Sequence, residues 1–148
     1  MLDTYRELLD MLAATPTQLK DAANQAGAPP ADEWDAAQVL AHLAASEQFW
    51  LERLNAMLRE RDALLGPPGQ AVNDTQTRLM AQNVAENLAA FNALRGETIS
   101  MMMGLSLTDW TKTATHRTRG AMRIDELVED MVDHDGEHLA QLHALAGT

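Results

Sequence analysis

The chain has 148 residues, 46% of them hydrophobic, no cysteine, and a formal charge of −11 from 22 acidic against 11 basic side chains. This is the length of one domain, 1–148, with enough apolar content to bury a core without staples, and disulfides and internal thiol chemistry are excluded. The negative field repels phosphate backbones, which argues against a nucleic-acid partner, and it attracts divalent cations. No run of about 20 apolar residues is present for a membrane span. The opening MLDTYRELLDML carries acids where a secretory leader carries bases and an unbroken apolar run, so a cytoplasmic protein is expected.

The first predicted helix covers roughly 2–26. Tyr5, Leu8, Leu9, Leu12, Leu19 and Ala23 fall at helical spacing, and Gly27-Ala28-Pro29-Pro30 ends the segment. Pro16 lies inside the pattern and is expected to kink or break it. The second helix opens at Asp35, an N-cap whose partner Gln38 completes a capping box. Its apolar face runs through Val39, Leu43, Phe49, Trp50, Leu54 and Met57 to about Leu64, where Gly66-Pro67-Pro68-Gly69 intervenes. The third helix is expected from near Asn73–Thr75 to Met103, with Leu79, Asn83, Glu86, Ala90, Leu94 and Thr98 on one line and Gly104 as its stop. Residues 105–123 read as a polar connection with a short turn at Thr108-Asp109-Trp110 and punctuation at Gly120. The last helix covers 124–146, with Leu127, Met131, His134, His138, Leu142 and Leu145 on its inward face. Four helical segments and no strand pattern predict an all-α four-helix bundle.

Three histidines carry the chemistry. His134 and His138 are four residues apart, so they project from the same side of the last helix, one turn apart. That spacing lets two imidazoles reach one ion, as in HExxH sites, but HDGEH puts Asp135 where the metalloprotease glutamate belongs, and no protease is inferred. Two histidines on an apolar face each need hydrogen-bond partners, which makes an idle core pair hard to satisfy. His42 sits between Ala41 and Leu43 on the apolar side of the second helix. Facing helices of a bundle build metal sites in this way, and three protein ligands leave an open position, the arrangement of a catalytic site. Asp130, one turn before His134, and Gln141, three residues after His138, are candidates to hold the histidine rings from behind. Asp133, Asp135 and Glu137 read as a solvated flank, and His143 as a solvent-facing residue. His116, in the connection, is open to three readings: a fourth ligand, a general base or a plain loop residue.

Lys112, Arg117, Arg119 and Arg123 cluster just before the last helix of an otherwise acidic chain. They suit an anionic substrate held near the histidines, or ordinary pairing with the abundant acids. The run Met101-Met102-Met103 is assigned to helix-end packing rather than to soft-metal binding.

The sequence resembles the DinB-like superfamily of four-helix metalloenzymes, also called DinB/YfiT-like. The residues that carry the resemblance are Trp34, Val39-Leu40-Ala41-His42-Leu43 and Ser46-Glu47, then Trp110, His116, Gly120 and Leu127, then His134-Asp135-Gly136-Glu137-His138-Leu139-Ala140-Gln141-Leu142. The resemblance implies an up-down-down-up topology, a nickel or zinc ion on His42, His134 and His138, and a homodimer. Some relatives transfer low-molecular-weight thiols such as bacillithiol to electrophiles, and others are mycothiol-dependent isomerases. Relatives often carry Thr or Ser as the last helix's N-cap, where this chain has Arg123. A metal-dependent thiol S-transferase is therefore expected, with His116, Arg117, Arg119 and Arg123 as candidate substrate-binding residues. A hydrolase activating water at the same centre, or a non-catalytic, stress-related metal- or ligand-binding dimer, are the alternatives.

Overall fold

The computed structural model describes residues 3–147, so Leu2, where the first helix was expected to begin, lies outside them. Four long helices form the bundle: α1 (Asp3–Gln25), α2 (Ala36–Arg59), α4 (Val84–Met103) and α6 (Ile124–His143). Between them lie α3 (Gln70–Met80), the short α5 (Leu107–Trp110) and three short strands, β1 (Leu64–Leu65), β2 (Thr113–His116) and β3 (Gly120–Arg123).

Pair contacts fix the direction of each helix. Thr15 of α1 bonds Asp135 of α6, and Ala26 just past α1 bridges Ala146 just past α6, so these two run parallel. Ala37 and Glu47 of α2 bond Asn87 and Arg95 of α4 in the same order, so α2 and α4 are parallel as well. His42 of α2 meets His138, and Trp50 meets His134, so α2 runs against α6. The result is the expected four-helix bundle with up-down-down-up topology. Two consecutive parallel helices need a crossover, and residues 60–83 supply it because α2 stops at Arg59, short of the predicted Leu64.

The crossover corrects the long third helix. It is two helices, α3 and α4, broken at 81–83. Asn83 and Glu86 do not share a buried line; they form the capping box that starts α4, with Glu86 N–H on Asn83 and Asn83 N–H on Glu86. The buried line of α4 runs through Asn87, Phe91, Arg95, Thr98 and Met102; it keeps Thr98 of the predicted line and has Asn87, Phe91 and Arg95 in place of Glu86, Ala90 and Leu94.

The absence of strands is also corrected. β1 pairs parallel with β2, and β2 pairs antiparallel with β3, burying Leu65, Ala114 and Met122 against the end of the bundle. The β2–β3 turn needs a left-handed residue, supplied by Gly120 at φ 77°. Asp109 and Ser106 cap α5, the expected short turn at Thr108–Trp110.

Pro16 leaves α1 unbroken, but it removes the N–H that would bond the Leu12 carbonyl. Arg95 Nη1 donates to that carbonyl instead, at 2.9 Å. Met102 is buried and Met103 exposed, an ordinary helix end.

Candidate metal centre

α2 and α6 cross with His42, His134 and His138 on their facing sides. One ring nitrogen from each histidine lies within 4.8 Å of the other two. The Nε2 atoms of His42 and His134 are 3.3 Å apart. Two glutamines hold the rings from behind: Gln76 Oε1 lies 3.1 Å from His42 Nδ1, and Gln141 Oε1 lies 2.7 Å from His138 Nδ1. An amide oxygen only accepts, so both rings carry their proton on Nδ1 and keep the Nε2 lone pair free. His42 Nε2 therefore presents a lone pair to His134, which a proton from that ring or a cation satisfies. Nitrogen ligands about 2.1 Å from a tetrahedral ion sit roughly 3.4 Å apart. The observed spacing and donor set fit such an ion.

The electrostatics favour neutral rings. Burial lowers the His134 pKa to about 4, helped by the neighbouring charges of His138 and His42. Burial also lowers His42, although its bond to Gln76 works the other way. Both rings are therefore held towards the uncharged form, the one a metal ligand needs. Trp34 and Trp50 flank the group, with ring centres 5.3 Å from His42 and 6.1 Å from His134. Ser46 Oγ is 3.5 Å from His42 Nε2.

Behind the histidines lies an ion network that the sequence reading missed. Arg95 Nε and Nη2 donate to both Glu47 oxygens, each at 2.9 Å. Arg95 Nη1 and Nη2 donate to Asp135 at 2.8 and 2.9 Å. Thr15 Oγ1 adds a 2.8 Å bond to Asp135. Arg95 is 2% exposed, Glu47 1% and Asp135 5%. Burial opposes the Arg95 charge, but the bonds and charges of Asp135 and Glu47 outweigh it and raise its pKa. Asp135 is thus no member of a solvated flank. Glu47 projects from α2 five residues after His42, and Asp135 follows His134 directly, so the network and the histidines join the same two helices. The signal was present: Phe91, Arg95, Thr98 and Met102 share helical spacing, and an arginine on that line needs buried acids.

The other predicted site residues separate into two groups. Gln141 Oε1 faces the His138 ring. Asp130 does not; it accepts from Arg119. Arg123 pairs with Asp125 and Glu126, and its backbone N–H bonds Glu126 Oε1 at the start of α6. Its side chain, which only donates, cannot replace the Thr or Ser cap. Lys112 Nζ donates to the Leu58 carbonyl. His116 lies outside the three-histidine group, with Nδ1 accepting from the Thr118 and Arg119 backbone N–H groups at 3.2 Å each. His143 is solvent-exposed, as predicted. Among the described residues, no helix is long and apolar enough to cross a membrane.

The fold has solved counterparts. YfiT from Bacillus subtilis, described as a probable metal-dependent hydrolase with an unusual four-helix bundle topology, aligns with a TM-score of 0.82 at 20% identity, over 98% of this chain and 87% of its own. A mycothiol-dependent maleylpyruvate isomerase aligns with a TM-score of 0.76 at 11% identity, over 99% of this chain. The present chain spans 65% of that isomerase's length. No curated protein sequence matches significantly. The sequence profile of the DinB superfamily matches residues 2–142, and the chain belongs to that superfamily.

Proposed function

We propose that His42, His134 and His138 bind one divalent ion, nickel or zinc, and that the protein uses it to transfer a low-molecular-weight thiol, of the bacillithiol type, to an electrophile. The carrying observation is the convergence of three ring nitrogens within 4.8 Å, two of them on rings whose Nδ1 faces a glutamine oxygen. An ion bound there supplies a Lewis acid that lowers the pKa of a bound thiol or water. The chain's residues supply the rest. Gln76 and Gln141 fix the tautomers and aim the rings. Trp34 and Trp50 place aromatic rings beside His42 and His134. The Arg95 network fixes α6 against α2, which sets the spacing of the three rings. The chain has no cysteine to compete with an incoming thiol. The dependence on mycothiol named for one fold relative supports the thiol reading. The protein is expected to act as a cytoplasmic homodimer.

The description of YfiT favours a second reading, hydrolysis at the same centre by activated water. One experiment separates the two. The metal-loaded protein is incubated with bacillithiol and monochlorobimane, and in parallel with ester and amide substrates. Thiol conjugation above the rate of a His42→Ala variant supports the first reading. Conjugation no faster than that variant's removes it, and turnover of the esters or amides alone would establish the hydrolase.

A further inference from the structure

The basic segment before α6 is only partly spent on neighbouring acids. Arg119 pairs with Asp130, and Arg123 with Asp125 and Glu126. Arg117 is exposed and has no ion-pair partner among the described residues. It lines a cleft of about 520 Å³ together with Arg53, Gly66, Pro67, His116 and Thr118. Arg53 comes from α2, outside the basic segment. Its guanidinium lies 4.2 Å over the Phe49 ring, and its Nη2 donates to the Gly66 carbonyl at 2.6 Å. Among the described residues no carboxylate oxygen lies within ion-pair distance of it, and its buried Nε–H has no acceptor. The charge is held in place with no direct ion pair; the carboxylate that acts on it from a distance, Asp130, is bonded to Arg119.

His116 adds a donor. Its Nδ1 accepts two backbone N–H groups of its own turn, so the ring proton sits on Nε2. No acidic side chain lines the cleft. Two arginines and a histidine thus line one cleft with no acidic side chain in its wall, in a chain whose net charge is −11. Trp50 stands between this cleft and the histidine centre, its ring 5.8 Å from the Arg53 guanidinium and 6.1 Å from the His134 ring.

We infer that the cleft of Arg53, His116 and Arg117 is an oxyanion subsite, taking the carboxylate or phosphate group of a small molecule whose reactive end reaches the histidine centre. Only the last clause rests on the proposed function; anion binding itself does not. Arginine suits this task because its planar fork matches either oxyanion and stays charged.

The test is calorimetric titration of the metal-free protein at low salt with succinate, inorganic phosphate and neutral succinamide, each alone. At least one oxyanion is expected to bind and succinamide not to; whichever anion binds tighter names the group. Arg53→Met should weaken binding about tenfold and Arg117→Gln about threefold, the scale of losing a charge-assisted hydrogen bond and a nearby charge. His42→Ala should stay within about twofold of the parent, which keeps this test separate from the metal reading. Arg53 also holds the Gly66 loop, so the exposed Arg117→Gln variant guards against a folding artefact. Absence of oxyanion binding, equal binding of succinamide, unchanged affinity in Arg117→Gln, or loss of binding in His42→Ala would each overturn the subsite.

Discussion

His134 and Asp135 are consecutive residues of α6, and they enter opposite environments. His134 joins a half-buried group of three imidazoles, each with a ring nitrogen within 4.8 Å of the other two. Asp135 joins a buried group of full charges in which the Arg95 donors and the carboxylate oxygens match closely. Both regions tie α2 to α6, yet one is complete within the protein and the other is open to a ligand. The field of the first reaches the second: Asp135 raises the His134 pKa while Arg95 lowers it, so the paired charges work against each other there. A satisfied ion network can therefore brace a neighbouring histidine without charging it.

The largest expected effect falls on the closed region. Arg95→Met leaves Glu47 and Asp135 as buried carboxylates without their partner, and should destabilise the protein by about 3–5 kcal/mol in urea titrations. A loss below about 1 kcal/mol would mean that water reaches the network in solution. The open region should respond in the opposite way. His42→Ala should change metal-free stability by about 1 kcal/mol or less. It should also abolish the stabilisation that added ion gives the parent, about 2.7 kcal/mol at a hundredfold excess over Kd. Thermal melts with and without nickel or zinc distinguish the two variants.

Sequence patterning made the open region legible and hid the closed one. The i, i+4 pair of His134 and His138 and the apolar neighbours of His42 announce a shared site, because helical spacing alone sets which way those rings point. The Arg95 network needs all four long helices in register, which no local window contains. Asp135 lies between Asp133 and Glu137 in an acidic stretch, so only its tertiary partner marks it as buried. The strands escaped for another reason: β1 has two residues and β2 four, too short for alternation to stand out. The break before α4 was readable, since Asn83 and Glu86 carry a capping-box pattern, but a line of similar residues on both sides masked it.

Smaller effects sharpen the contrast. Gln141→Ala removes the partner of His138 Nδ1 and should weaken metal binding about 10- to 100-fold with little change in fold. Competition with a chromogenic chelator measures this, and an unchanged affinity would show that the ring needs no support. The pH response follows from His134. Its folded pKa, about 4, lies below the 6.5 of the unfolded chain, so as pH falls from 6.5 towards 4 the unfolded state takes up the proton first. The metal-free protein should therefore lose stability across that window, and His134→Gln should flatten the loss. The smallest expected change is at the cap of α4, where Asn83→Ala should cost about 1 kcal/mol and leave metal affinity untouched.

The metal content of untagged protein tests the histidine centre most directly. Elemental analysis of folded, full-length protein should find about one nickel or zinc ion per chain, lost in His42→Ala and retained in Arg117→Gln. A content under about 0.1 ion per chain, unchanged after incubation with either metal, would contradict a metal centre at His42, His134 and His138.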